Sequence, residues 1–90
     1  MDEYRLVKVV WKDIQGLDET WVDMGDMSQF EPVSVETVGW IVVESKEYIT
    51  VLSSLSADKT FGGSVTSIPK GCVDYISPVC FGQECFGEKI

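Results

Sequence analysis

The stretch Val38–Leu55, VGWIVVESKEYITVLSSL, contains two runs of β-branched and aromatic residues that are separated by a short polar break. The runs are Val38–Val43 and Tyr48–Leu52, and the break is the sequence ESKE at positions 44–47. Runs of this composition around a turn-forming break are typical of an antiparallel strand pair. The stretch therefore predicts the central hairpin of a β-rich domain.

Apolar residues occupy both faces of the first run. Trp40 and Val42 are expected on one face, and Gly39, Ile41 and Val43 on the other. A strand that is apolar on both faces is covered on both faces, here by a closed barrel or by a neighbouring subunit. Gly39 predicts a bend, because glycine inside a strand often marks a barrel corner. The middle hairpin of an ordinary small β domain is the alternative.

Three further segments have strand-forming composition: Tyr4–Trp11, Gly63–Ile68 and Cys72–Ile76. A tight corner at residues 69–71 separates the last two, and Val33–Val43 is expected to be one long, bent strand. The total is five short strands, with no helix longer than a turn or two. Five strands suit a small, strongly bent barrel, because closure removes exposed sheet edges.

The charge of the chain is concentrated in one segment. The net charge is −8, and the segment from Asp13 to Glu36 carries seven acidic residues and no Lys or Arg. These acids are Asp13, Asp18, Glu19, Asp23, Asp26, Glu31 and Glu36. Such a chain repels phosphate backbones at long range, which counts against generic nucleic-acid binding. Within the segment, Trp21–Phe30 is expected to be a long loop with apolar anchors and one helical turn near Ser28.

Length and composition indicate one globular domain of ninety residues, of which 44% are apolar. No apolar run approaches the ~20 residues that cross a bilayer. The start of the chain, MDEYRLVK, has acids where a signal peptide carries basic residues, so we expect a cytoplasmic location and no membrane. Three cysteines are an odd number for a disulfide framework, which favours reduced thiols.

Catalysis is not expected, since the chain has no His and therefore no Ser-His or Cys-His pair. No phosphate-binding glycine loop or dinucleotide motif is present, and we expect no cofactor. Two sets of residues have the ligand types of a metal site: Asp23 and Asp26 around a glycine for Ca²⁺ or Mg²⁺, and Cys72, Cys80 and Cys85 for zinc. The first matches no EF-hand spacing and the second has no His as fourth ligand, so the prediction is no metal and no catalytic residue.

The order of elements resembles the Sm-like family, which includes the LSm proteins and bacterial Hfq. The residues that carry the first motif are Gly39, Glu47 and the strand ITVL at positions 49–52. Those that resemble the second motif are Lys70-Gly71, Val73, Tyr75 and Ile76. The resemblance covers about half the chain, from Val35 to Pro78. The VKVVW start and the IP corner also resemble small proteins of tailed phages, cyanophages included.

The resemblance implies a bent five-stranded barrel of the SH3 type that assembles into a homo-oligomeric ring through its fourth and fifth strands. It implies single-stranded RNA as a ligand, with Tyr48 stacking on a base and Lys70 beside Gly71 meeting phosphate. Thr50 falls where RNA-binding members carry a base-contacting asparagine. The interface residues that it implies are Val65, Ile68, Val73 and Tyr75.

The predicted organisation is a barrel domain at residues 1–78, with an acidic inserted loop at 13–34 where the family has a short turn. A C-terminal tail at 79–90 carries the sequence CFG twice. The predicted function is a non-enzymatic, ring-forming, RNA-associated Sm-like module, in the host cytoplasm if phage-encoded. The alternative is an acidic protein-interaction or assembly module of a phage, which meets a basic protein and binds no nucleic acid.

Overall fold

A computed structural model describes residues 4–18 and 20–80 of the chain. They form a five-stranded antiparallel sheet with the order β4-β3-β2-β1-β5. The strands are β1 (Arg5–Asp13), β2 (Val33–Glu44), β3 (Tyr48–Leu55), β4 (Gly62–Pro69) and β5 (Val73–Pro78). Two 3₁₀ helices, Met24–Gln29 and Lys70–Cys72, complete the described elements. The predicted all-β class, the five strands and the helical turn near Ser28 are confirmed.

Strand β2 belongs to two halves of the sheet. Its residues 33–41 pair with β1, whereas its residues 40–44 pair with β3. Gly39 lies where the strand passes from one partner to the other, and a Cβ placed on it would stand 2.4 Å from the backbone oxygen of Leu52. Only glycine allows the two backbones to approach this closely.

The prediction for Val43 was wrong about its face. A β-bulge between Ile41 and Val43 shifts the register, so that Ile41 pairs with Val51 but Val43 pairs with Thr50. Since Thr50 and Val51 are adjacent in β3, their side chains lie on opposite faces, and so do those of Val43 and Ile41. Ile41 is buried and Val43 is exposed, in agreement with this register.

The main buried cluster lies on one face of the sheet and consists of Val7, Val9, Ile41, Ile49, Val51 and Ile68. Val10 and Leu52 are buried on the opposite face. Strands β4 and β5 lie at opposite ends of the strand order, yet Ile68 of β4 belongs to this cluster and Val73 of β5 packs against it, so the sheet is curved. Ile68, which the resemblance places at a subunit interface, is 0% exposed within the chain itself and lies in this cluster opposite Ile49 of β3.

The two edge strands, β4 and β5, are joined by the three-residue helix Lys70–Cys72. Three residues span at most about 10 Å, so the opposite edges of the sheet lie close together at this end. Within the described strands, β4 pairs with β3 alone and β5 with β1 alone. The sheet is therefore curved but not closed, and closure into a barrel stays a prediction.

Residues 14–32 connect β1 to β2 and are called the acidic arm below. The last rung beneath the arm pairs Asp13 with Val33. Near this end of the sheet the Trp11 indole donates to the Thr37 hydroxyl of β2 at 2.9 Å, and the Lys12 ammonium lies 2.7 Å from a carboxylate oxygen of Asp74 on β5. The two strands are therefore paired up to the residues at which the arm begins and ends.

Two of the three cysteines lie in the described part of the chain. Cys72 is a free thiol that packs against the core, whereas Cys80 is disulfide-bonded. The expectation that all three are reduced was therefore wrong for Cys80. Of the tail predicted at 79–90, residues 81–90 lie outside the described residues. No helix found in residues 4–18 and 20–80 is long and apolar enough to cross a membrane.

Candidate functional site

Three of the four predicted RNA-binding residues lie together, and we call Tyr48, Lys70 and Gly71 the corner site. Tyr48 begins β3 and pairs with Pro69 at the end of β4. The Lys70 backbone N–H donates to the Glu47 carbonyl oxygen at 2.9 Å, which holds the corner against the β2–β3 turn. In that turn the Ser45 hydroxyl accepts from the Tyr48 N–H at 3.1 Å, as turn serines commonly do.

The corner site is accessible. The Tyr48 side chain is 43% exposed, and Lys70 and Gly71 are exposed beside it. No atom lies within 4 Å of the position that a Cβ would take on Gly71. An exposed aromatic ring can stack a base, and an exposed lysine on the adjoining strand end can meet a phosphate. The carboxylate of Glu47 adjoins the site in sequence, so its charge is not purely positive.

Thr50 lies two residues from Tyr48 but is not accessible in the same way. The residue is only 9% exposed, and its hydroxyl shares a hydrogen bond of 2.8 Å with the Ser67 hydroxyl on β4. A buried hydroxyl that is already paired stabilises the β3–β4 pairing. Thr50 therefore presents little surface to a nucleotide in this conformation.

The two free edges of the sheet carry exposed apolar side chains. Val65 on β4 is 61% exposed and Tyr75 on β5 is 53% exposed. Val65 pairs with Leu52 and Tyr75 pairs with Val10, so both side chains point away from the core. Val73, the remaining predicted interface residue, is half-buried and packs against the core cluster.

The acidic arm exposes large apolar side chains among its carboxylates. Trp21 is 89% exposed, and Ile14 and Met24 are nearly as exposed. The 3₁₀ helix Met24–Gln29 begins at Asp23, whose carboxylate accepts from the Gly25 N–H at 2.9 Å. Asp23 thus caps a helical turn. Within the described residues, no group of three or more His, Cys, Asp or Glu side chains is placed to hold a metal ion.

An apolar groove is formed within the arm, and we define it by Leu17, Val22, Met27 and Phe30. These side chains line a cavity of about 260 Å³, together with Gln15 and Gly16. The sequence placed apolar anchors in this loop, but it gave no signal that they would surround a cavity. Their spacing in the chain follows no helical or strand period, and the groove exists only because two loop segments meet.

One carboxylate has a shifted pKa, and it lies in the β3–β4 turn. The Ser56 hydroxyl donates to the Asp58 carboxylate at 2.8 Å, and the Thr60 N–H donates to it at 3.0 Å. These hydrogen bonds, that from Ser56 first, lower the pKa of Asp58 below its ordinary value. Asp58 is part of a structural turn and does not belong to the corner site, the sheet edges or the groove of the acidic arm.

No family model, curated protein or solved structure matches this chain. The resemblance to the Sm-like family therefore stays a prediction from the residues quoted above.

Proposed function

We propose that this chain is a non-enzymatic, self-assembling module of the Sm-like kind, in which β4 of one copy pairs with β5 of the next. The observation that supports this proposal is the open sheet, whose two unpaired edges are joined by three residues. An unpaired edge presents N–H and C=O groups that accept another strand. In this proposal the curved sheet is the bent barrel of that family, and pairing around a closed rotation gives a ring.

The side chains beside the edges support the same assembly. Val65 and Tyr75 are large, exposed and apolar, and each lies on one of the two edge strands. Pairing of β4 with β5 of a second copy would bring these two strands together and remove apolar surface from water. A heterologous contact of this type uses two different surfaces of one chain, so each copy has both halves of the joint.

Light scattering after size exclusion tests the assembly. The chain at micromolar concentration is expected to have a mass several times that of one copy, which is 10.0 kDa. Val65→Lys and Tyr75→Lys should each lower that mass, because a charge would be buried at the joint. Val43→Lys is the matched control, since Val43 is exposed but lies on β2, which is not an edge strand. A wild-type chain of monomer mass overturns the proposal.

For the assembled ring we propose association with single-stranded RNA at the corner site. The supporting observation is that Tyr48 is exposed and pairs with Pro69, the residue that precedes the exposed Lys70. Base stacking on one aromatic residue contributes about 1–3 kcal/mol. Tyr48→Ala should therefore weaken binding of oligo-U or oligo-A about ten-fold, measured by fluorescence anisotropy at ~50 mM salt, where phosphate contacts are strong.

Lys70→Glu should weaken the same RNA binding, because it replaces a phosphate partner by a repelling group. Lys59→Glu makes the same charge change at the β3–β4 turn and is the control, which should retain binding. If wild type does not bind either oligonucleotide under these conditions, RNA association is wrong while the ring is still open to the mass measurement.

The second candidate function is an acidic protein-interaction or assembly module of a phage that binds no nucleic acid. The observation that favours it is the acidic arm, where exposed apolar side chains such as Trp21 stand among carboxylates. A net charge of −8 attracts basic partners and repels RNA. Binding of a lysine-rich peptide without binding of oligo-U would favour this candidate over RNA association. A cytoplasmic location, that of the host for a phage protein, is part of both candidates.

A further inference from the structure

We infer that the groove of the acidic arm is a docking site for a cationic polypeptide segment that carries one apolar anchor side chain. The inference rests on the second candidate function, the acidic interaction module, and adds the place and the chemistry of its partner. The shape of the groove, its charge and its exposed apolar surface support this inference.

The groove is built by two segments of the arm that face each other. Leu17 comes from the segment after β1, and Met27 and Phe30 come from the 3₁₀ helix and its end. The Phe30 N–H donates to the Met27 carbonyl oxygen at 3.1 Å, which closes the turn of main chain that carries these two residues. The groove is therefore held by an ordered turn.

The lining of the groove suits an apolar side chain next to a basic one. Its apolar end, lined mainly by Leu17, Val22, Met27 and Phe30, has a volume of about 260 Å³. A second cavity of about 440 Å³ shares Leu17, Val22 and Phe30 with it and adds Asp26 and Gln29. The groove thus passes from an apolar end to an end with a carboxylate. This arrangement suits an apolar anchor that is followed by a basic residue.

The negative charge of the arm disfavours two other partners, nucleic acid and the arm of a second copy. Asp18, Asp23, Asp26 and Glu31 are all exposed in the described arm, and no Lys or Arg occurs from Asp13 to Glu36. Nucleic acid is repelled by this field, and the arm of a second copy is repelled because it carries the same charge. A cationic segment is the complementary partner, and it gains both a faster encounter and a fixed orientation.

The apolar residues that line the groove are exposed to solvent. Leu17, Met27 and Phe30 are large hydrophobic residues that line the cavity and are exposed. An anchor side chain that enters would cover this surface, and a buried apolar anchor is the usual source of affinity at an interface. The carboxylates around it supply steering and specificity rather than the main binding energy.

The test uses two synthetic peptides and the full chain. One peptide has lysines flanking a single Phe, and the other has Ser in place of that Phe. Calorimetry should show that wild type binds the Phe peptide about ten-fold more tightly than the Ser peptide, the ratio expected for one buried anchor. Leu17→Ser should remove this preference, because it opens the apolar end. Ile14→Ser, a change at a residue that lines neither cavity, should preserve it.

Asp26→Asn should weaken both peptides about three-fold at low salt and leave the preference for Phe intact. Asp18→Asn is the control for charge, since Asp18 lines neither cavity. If wild type binds both peptides equally, the groove inference is overturned although the acidic module stands. If neither peptide binds at low salt, both the groove and the acidic module are overturned.

Discussion

The core face of the sheet and the acidic arm treat apolar side chains in opposite ways. In the sheet, Ile49 and Val9 are wholly buried within strands that are paired on both sides. In the arm, Trp21 and Met24 belong to a single connection and are largely exposed. Burial of apolar surface is the main source of folding free energy, so the sheet supplies stability and the arm supplies surface.

This difference separates stability from interaction along the chain. Substitutions in the buried cluster of the sheet should act on the free energy of unfolding, and those at exposed apolar residues of the arm on binding to partners.

The largest effect is expected from Ile49→Ala, compared with Trp21→Ala. Ile49 is 0% exposed in the core cluster, so its truncation should lower the free energy of unfolding by about 2–5 kcal/mol. Trp21→Ala removes a larger side chain but an exposed one, and the change should stay within about 0.5 kcal/mol. Urea denaturation followed by circular dichroism measures both. A similar loss for the two variants would show that the arm is part of the folded core.

A smaller but clear effect is expected from adding one methyl group at two glycines. Gly39→Ala places a Cβ 2.4 Å from the Leu52 backbone oxygen, and the strain should cost about 1–3 kcal/mol. Gly16→Ala in the arm meets no atom within 4 Å and should change stability by less than about 1 kcal/mol. Denaturation midpoints compare them. An unaffected Gly39→Ala variant would contradict the close approach of β2 and β3.

The smallest effect concerns pH and the β3–β4 turn, a loop that belongs to the sheet. The pKa of Asp58 is lowered by hydrogen bonds from Ser56 and Thr60. A lowered folded-state pKa gives stability that is present above the unfolded value, ~3.9, and is lost as pH falls through the folded value. An NMR titration of the Asp58 carboxyl should show a midpoint below that of an ordinary aspartate. Ser56→Ala should raise this midpoint, and a midpoint that does not move would refute the assignment.

The strands of the sheet were predictable because their composition and turns are local signals. The runs after Val38 and Tyr48 are rich in β-branched residues, and Gly39 marked the place where β2 changes partners. The bulge between Ile41 and Val43 was not predictable, because it depends on how β3 pairs with β2. Alternation within one strand cannot reveal a residue inserted against its partner, so the face of Val43 was wrong.

Side-chain roles were less predictable than strand positions. Ile68 and Val65 both lie in β4 and both look apolar in sequence, yet one is in the core and the other on the surface. The resemblance alone did not distinguish them, since the period of two had to be aligned with Ile49 and Leu52 on β3. The groove of the arm depends on contacts between loop segments, for which the chain carries no periodic pattern.

The rung between Asp13 and Val33 makes the connection above it exchangeable. Because the pairing of β1 with β2 is complete at Asp13 and Val33, the sheet does not depend on the length of the connection between them. The loop-closure entropy grows only logarithmically with that length. A two-residue turn could replace residues 14–32 while the scaffold keeps its register. The acidic arm can therefore be changed in sequence and length, or replaced by another loop, without a change in the sheet.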